Sequence, residues 1–200
     1  MLRRYTPRRT EEIIASLSPL LDQIEKDYSV PAACMKAVLY REMTEIDLFD
    51  AAADLAVRLG WLGRLIGKND SSTGYAQIFA SVAARALRFA EERGIETAEG
   101  LGLKRSPSPE DPGDLREIWL RLNRDREFNL RLAALNLLSA AEEVTGRLSF
   151  PDYSEDETKR IFSRYNANTK KITSYGETVW KHFLRYRNEE ISKNGKGEVS

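Results

Sequence analysis

The sequence predicts an all-α protein with one domain, a globular bundle of seven or eight helices. Apolar residues recur at helical spacing along most of the chain, and no run shows the alternating pattern of a strand. Two hundred residues suit one domain, and a hydrophobic content of 42% is enough to form a core. We assign residues 10–190 to this domain, with a flexible N-terminus at residues 1–9 and a disordered tail at residues 191–200.

Local signals predict where the helices begin and end. Pro19 falls inside the first apolar stripe and can kink or split that helix. Asp114 is expected to cap one helix and Gly146 to end another. Ser154 and Glu157 form a capping box. The predicted helices cover, in order, residues 10–27, 31–43, 44–59, 75–92, 114–123, 126–145, 154–165 and 175–190. Residues 95–113 are rich in Pro, Gly and Ser and predict a long exposed loop.

Charge and cysteine content narrow the function classes. Lys+Arg and Asp+Glu both number 31, so the chain lacks the basic excess of a typical nucleic-acid binder. Cys34 is the only cysteine and is expected in the core, and His182 is the only histidine, so a Cys/His zinc site is not available. We expect no metal, no other cofactor, no membrane span, no secretory signal and a monomeric protein.

Carboxylate chemistry is the remaining route to catalysis, and Glu42 stands out by its position. The strongly apolar helix before it places Glu42 at a helix C-terminus, where the helix dipole and partial burial disfavour a charged carboxylate. A carboxyl that stays protonated near neutral pH suits a general acid. Position alone still favours a solvated surface glutamate paired with Arg41, and His182 is expected to be a packing or surface residue.

Four short segments, in order along residues 28–187, favour a catalytic role for Glu42 over that of a surface charge. The first, Val30–Glu42, leads from Val-Pro through an apolar helix to the acid. The second, Ser71–Ile78, has the sequence Ser-Ser-Thr-Gly-Tyr-Ala-Gln-Ile. The third is the pair Asn129-Leu130, and the fourth is Tyr165-Asn166-Ala167 followed by Tyr175-Gly176. Together they resemble the lysozyme-like superfamily, in particular lytic transglycosylases of the soluble type and goose-type lysozymes.

The resemblance implies a catalytic domain that cleaves peptidoglycan glycan strands at the bond between N-acetylmuramic acid and N-acetylglucosamine, with its site of action at the cell wall. It makes Glu42 the catalytic acid and favours the lytic transglycosylase reaction with 1,6-anhydromuramyl products. It makes Asp70 a possible second carboxylate, out of register with the water-positioning acid of goose-type enzymes. It assigns substrate binding to Gly74, Tyr75, Gln77, Asn129, Tyr165 and Asn166.

Several residues depart from the pattern and keep alternatives open. Met43 stands where transglycosylases usually have Ser, Tyr75 replaces a Leu, and Asn168 replaces a Gly. The alternatives are a hydrolytic, goose-type-like lysozyme and a catalytically inactive lysozyme-like binding module. A helical adaptor in which the four matches are accidental is the third.

Overall fold

The computed structural model describes residues 5–44 and 72–194, and the predicted all-α architecture is confirmed. Within these ranges seven helices form the bundle, and one two-stranded hairpin is the only sheet. The helices are α1 (Pro7–Tyr28), α2 (Ala32–Thr44), α3 (Ala80–Glu92), α4 (Pro112–Arg124), α5 (Arg126–Thr145), α6 (Glu155–Asn166) and α7 (Ser174–Asn194). The strands are β1 (Ser72–Thr73) and β2 (Ile78–Phe79), and a 3-10 turn covers Phe150–Asp152.

The first helix begins earlier than predicted and is not interrupted. Thr6 caps it by accepting a hydrogen bond from the Arg9 N–H, and Pro7 suits its first turn, so the helix extends into the segment expected to be flexible. Pro19 is exposed on one continuous helix, where its ring does not disturb the buried face. At the other end of the chain, α7 continues to Asn194, into the segment expected to be disordered.

Helices α2 and α5 supply the centre of the core. Helix α5 contacts α1, α3, α4 and α6, and α2 packs between α1 and α7. Cys34 is 1% exposed, as predicted, and burial raises the pKa of its thiol. His182 packs against the Tyr40 ring with centroids 4.5 Å apart, which fits the predicted packing residue. Burial, together with Arg185, lowers the pKa of His182 to about 4.

The helix termini test the local sequence signals. The capping box of Ser154 and Glu157 is present in both directions, and Gly146 ends α5 with φ 71°. The assignment of Asp114 as a cap is wrong, because Asp111 accepts the hydrogen bond from the Asp114 N–H at the start of α4. The Asp114 carboxylate instead binds the guanidinium of Arg105 and so closes part of the loop between α3 and α4.

The hairpin corrects the prediction of a helix from residue 75 and of a chain without strands. Strands β1 and β2 pair in antiparallel register, Ser72 with Phe79 and Thr73 with Ile78, and α3 begins only at Ala80. Two-residue strands are too short to show alternation in a sequence. The turn also requires left-handed backbone at Gly74 (φ 75°) and Gln77 (φ 44°), which a helix does not allow.

Among the described helices, none combines the length and apolar character needed to cross a membrane.

Candidate active site

Glu42 is half-buried in the last turn of α2, and its carboxylate is held by a tyrosine from the other end of the chain. The Tyr175 hydroxyl donates a hydrogen bond to Glu42 Oε1 at 2.5 Å. Tyr175 is 6% exposed, so this bond lies in a space with little water. A short hydrogen bond to a carboxylate fixes the direction of the side chain. Glu42 is therefore a positioned group rather than a solvated surface charge.

A close approach of two helices brings Tyr175 to this position. Gly176 lies directly after it, in the first turn of α7, and faces α6. A Cβ at Gly176 would overlap Ser163 Oγ and the Lys159 carbonyl oxygen, so only glycine permits this approach. The Ser163 hydroxyl also accepts a hydrogen bond from the Thr173 N–H, which fixes the start of α7.

Tyr165 joins the carboxylate region to the hairpin. Its hydroxyl donates to the carbonyl oxygen of Ala76 at 2.9 Å, and both residues are buried. Burial raises the pKa of Tyr165 well above its usual value, and the nearby charge of Glu42 raises it further. The same two causes, in the same order, raise the pKa of Tyr175. Glu42 is thus the carboxyl whose charge acts on both buried tyrosines, which must stay protonated donors.

Asn129 fixes the hairpin from the opposite side. It is 1% exposed in the first turn of α5. Its Oδ1 accepts from the Ala76 N–H at 3.1 Å, and its Nδ2 donates to the Thr73 carbonyl at 3.2 Å. Both ends of the amide therefore bind hairpin backbone, so Asn129 positions the hairpin, and the contact to sugar acetamido groups that the resemblance implies stays a prediction.

Gly74 and Gln77 complete the hairpin turn. A Cβ at Gly74 would overlap Asn129 Nδ2, so the absence of a side chain allows Asn129 to reach the backbone. Gln77 Nε2 donates to the Gly74 carbonyl at 2.6 Å, and Gln77 Oε1 accepts from the Ser72 hydroxyl at 3.2 Å. The half-buried Gln77 side chain thus closes its own turn.

The remaining predicted site residues divide into three cases. Tyr75 is half-buried beside the turn, with its ring centroid 5.7 Å from the Arg126 guanidinium. Asn166 is exposed at the last residue of α6, so Tyr165, not Asn166, faces the cluster. Asp70 lies outside the described residues, as do two other acids considered after Glu42, Asp47 and Asp50.

Tyr175 is the main site residue that sequence reasoning left out of the substrate-binding set. It belongs to the last segment of the resemblance, and the sequence signal for its position is the adjacent Gly176, which permits a close helix approach. Phe79, in β2, is an exposed apolar residue of the hairpin. It is 43% exposed directly after the hairpin turn, although large apolar side chains are usually buried.

The arrangement is a half-buried carboxylate that accepts a hydrogen bond from a buried tyrosine hydroxyl. Among the described residues no cluster of three or more Cys, His, Asp or Glu side chains could hold a metal ion. Comparison of the chain with known protein families, with curated proteins and with solved structures finds no match.

Proposed function

We propose that this chain is a peptidoglycan-degrading glycosidase of the lysozyme-like type, with Glu42 as its general acid. Its substrate is the glycan strand, cut between N-acetylmuramic acid and N-acetylglucosamine. The lytic transglycosylase reaction is the favoured form of the proposal.

One observation carries the proposal. The four segments of the resemblance lie far apart in the chain, yet a residue from each takes part in one of two neighbouring hydrogen-bonded groups, and the charge of Glu42 in the first group acts on Tyr165 in the second. Tyr175 binds the carboxylate of Glu42, Tyr165 binds Ala76, and Asn129 binds the same Ala76 from the other side. Accidental matches in a helical adaptor would have no reason to meet in space, so this convergence supports a shared site.

The burial of Met43 bears on the inactive alternative. Met43 follows the acid and replaces the usual Ser, but it is 1% exposed and packs in the core. Its side chain therefore belongs to the core of the bundle. This departure from the family pattern leaves the acid intact, which favours an active enzyme over a binding module.

The chemistry requires one carboxyl in two roles. Glu42 first gives its proton to the glycosidic oxygen, and the N-acetyl oxygen of the muramic acid assists at the anomeric carbon. The Glu42 carboxylate then takes the proton of the sugar's own 6-hydroxyl, which closes a 1,6-anhydro ring. The Tyr175 hydroxyl keeps Glu42 Oε1 in place through both steps and donates to the carboxylate while it is charged.

The direct test is Glu42→Gln, assayed by lysis of purified peptidoglycan. The change keeps the shape of the side chain and removes the proton donor, so we expect at least ~10²-fold slower cleavage. Thermal stability should be nearly unchanged. Glu92→Gln is the matched control, because Glu92 also ends a helix but is exposed. Full activity of the Glu42→Gln protein would refute the assignment.

Product analysis separates the remaining alternatives. Mass spectrometry of digested sacculi should show 1,6-anhydromuramyl ends, whereas ordinary reducing ends would favour a goose-type-like hydrolase and make Asp70→Asn the next variant. Binding of the wild-type protein to peptidoglycan without cleavage would favour the inactive module, and absence of binding would favour the adaptor.

A further inference from the structure

A polar cavity of about 290 Å³ lies beside the hairpin. It is lined at the turn by Gly74 and Tyr75 and at the junction of α4 and α5 by Arg124 and Arg126. Tyr5 closes it, and the Tyr5 N–H donates to the Met43 carbonyl, next to the proposed catalytic acid. Gly74 and Ala76 are two residues apart, at most ~7 Å of chain, so the cavity adjoins the hairpin backbone that Tyr165 binds.

The two arginines bring positive charge that their neighbours in the chain do not compensate. Arg124 and Arg126 are exposed, and neither forms an ion pair within residues 5–44 and 72–194. The acids beside them are engaged elsewhere. Asp125 caps the Phe128 N–H and lies 3.5 Å from Arg121, and Glu127 binds Arg131 at 2.9 Å.

The cavity also has fixed geometry. The Arg126 guanidinium lies over the Tyr75 ring, a cation–π contact that limits the freedom of a long side chain. Asn123 Nδ2 donates to Thr73 Oγ1 at 2.8 Å, which ties α4 to the hairpin. A guanidinium that is held in place and has no ion pair in the described part of the chain suits the binding of a carboxylate, because its planar N–H groups match the two oxygens.

We propose that this cavity binds a carboxylate of the peptide stem that peptidoglycan carries on its N-acetylmuramic acid residues, through Arg126 and Arg124. The inference rests on the proposed function, because the stem begins on the sugar whose bond is cut. It deepens that function by making the peptide, as well as the glycan, part of what the protein recognises.

The first experiment compares cleavage of two substrates. One is peptidoglycan with intact stems, and the other is the same glycan after an amidase has removed the peptides. The double variant Arg124→Gln, Arg126→Gln should lose about tenfold in kcat/KM on the intact substrate and nothing on the stripped glycan. Arg116→Gln is the matched control, since Arg116 is exposed on α4 but does not line the cavity. An equal loss on both substrates, or no loss on the first, would overturn the proposal.

The second experiment does not depend on cleavage. Calorimetry of the wild-type protein with a free stem peptide, and with its carboxamide form, measures recognition of the charge directly. We expect the free acid to bind at least about tenfold more tightly than the amide, and the double variant to abolish the difference. Equal binding of the free acid and the amide overturns the assignment of the cavity to the stem peptide, and so does binding of inorganic phosphate without binding of the peptide. Binding of the free acid by a protein that cleaves no peptidoglycan counts against the proposed function alone.

Discussion

Asn129→Ala tests whether one side chain holds the hairpin of the candidate site in place. The substitution removes the acceptor of the Ala76 N–H and the donor to the Thr73 carbonyl. Thr73 and Ala76 are 0% exposed, so water cannot easily replace the lost partners. A buried polar group left without its hydrogen bond costs about 1–3 kcal/mol, and two such groups cost about 2–6 kcal/mol of folding free energy.

The same helix offers a matched control. Asn136 is 8% exposed on α5, and its Nδ2 atom is buried with no hydrogen-bond partner among the described residues. Asn136→Ala removes an equal number of atoms but breaks no bond at that nitrogen, so its cost should be well below that of Asn129→Ala.

Urea and thermal unfolding followed by circular dichroism measure both variants. At about 2–4 °C per kcal/mol for a chain of this size, Asn129→Ala should lower Tm by at least about 4 °C. It should also lose peptidoglycan cleavage at temperatures where it remains folded, because the hairpin no longer has a fixed position. Equal stability of the two variants, or a cost below ~1 kcal/mol for Asn129→Ala, would refute this account of the hairpin.

Two further predictions concern ionisable groups. Tyr175→Phe removes the donor to Glu42 Oε1, so cleavage should fall about tenfold and the basic limb of the pH–rate profile should move to higher pH, since the charged carboxylate loses a hydrogen bond. Tyr165→Phe is the comparison, because the Tyr165 hydroxyl binds Ala76 instead, and it should leave that limb in place. Because the pKa of His182 is lowered to about 4, the unfolded chain takes up the proton first as pH falls. The contribution of His182 to stability should therefore be complete above pH ~6.5 and be lost as pH falls from ~6.5 to ~4. The urea midpoint of His182→Gln should vary less over this interval than the midpoint of the wild-type protein. If the two midpoints change with pH in parallel, the assignment is contradicted.

The sequence predicted the fold best where a cap residue and the apolar periodicity indicate the same helix. The all-α class, the bounds of α5 and the capping box of α6 could all be predicted, because apolar periodicity and cap residues act within a few positions of each other. The cap of α4 was misassigned because Asp111 and Asp114 both precede its apolar face, and only the backbone path decides which side chain meets an open N–H group.

The hairpin and the roles of its residues could not be predicted in the same way. The resemblance makes Gln77 and Asn129 substrate contacts, and in the structure both side chains bind backbone of the hairpin, Gln77 at Gly74 and Asn129 at Thr73 and Ala76. A motif gives residue types and order, and it does not distinguish a side chain that faces a ligand from one that shapes the loop facing it. That distinction depends on contacts between residues about fifty positions apart, such as Asn129 with Ala76.

Under the proposed function, positioning and recognition are divided between two sets of side chains. Tyr165, Tyr175 and Asn129 are buried and bind fixed partners, so a change at any of them disturbs the geometry around Glu42. Phe79 and Arg126 are exposed next to the same hairpin, and few contacts inside the protein require their present identity. If the proposed function holds, substrate preference can change at the exposed set while Glu42 and its hydroxyl partner stay in place. The stem-dependent assay, rather than a stability assay, is therefore the measurement that addresses specificity.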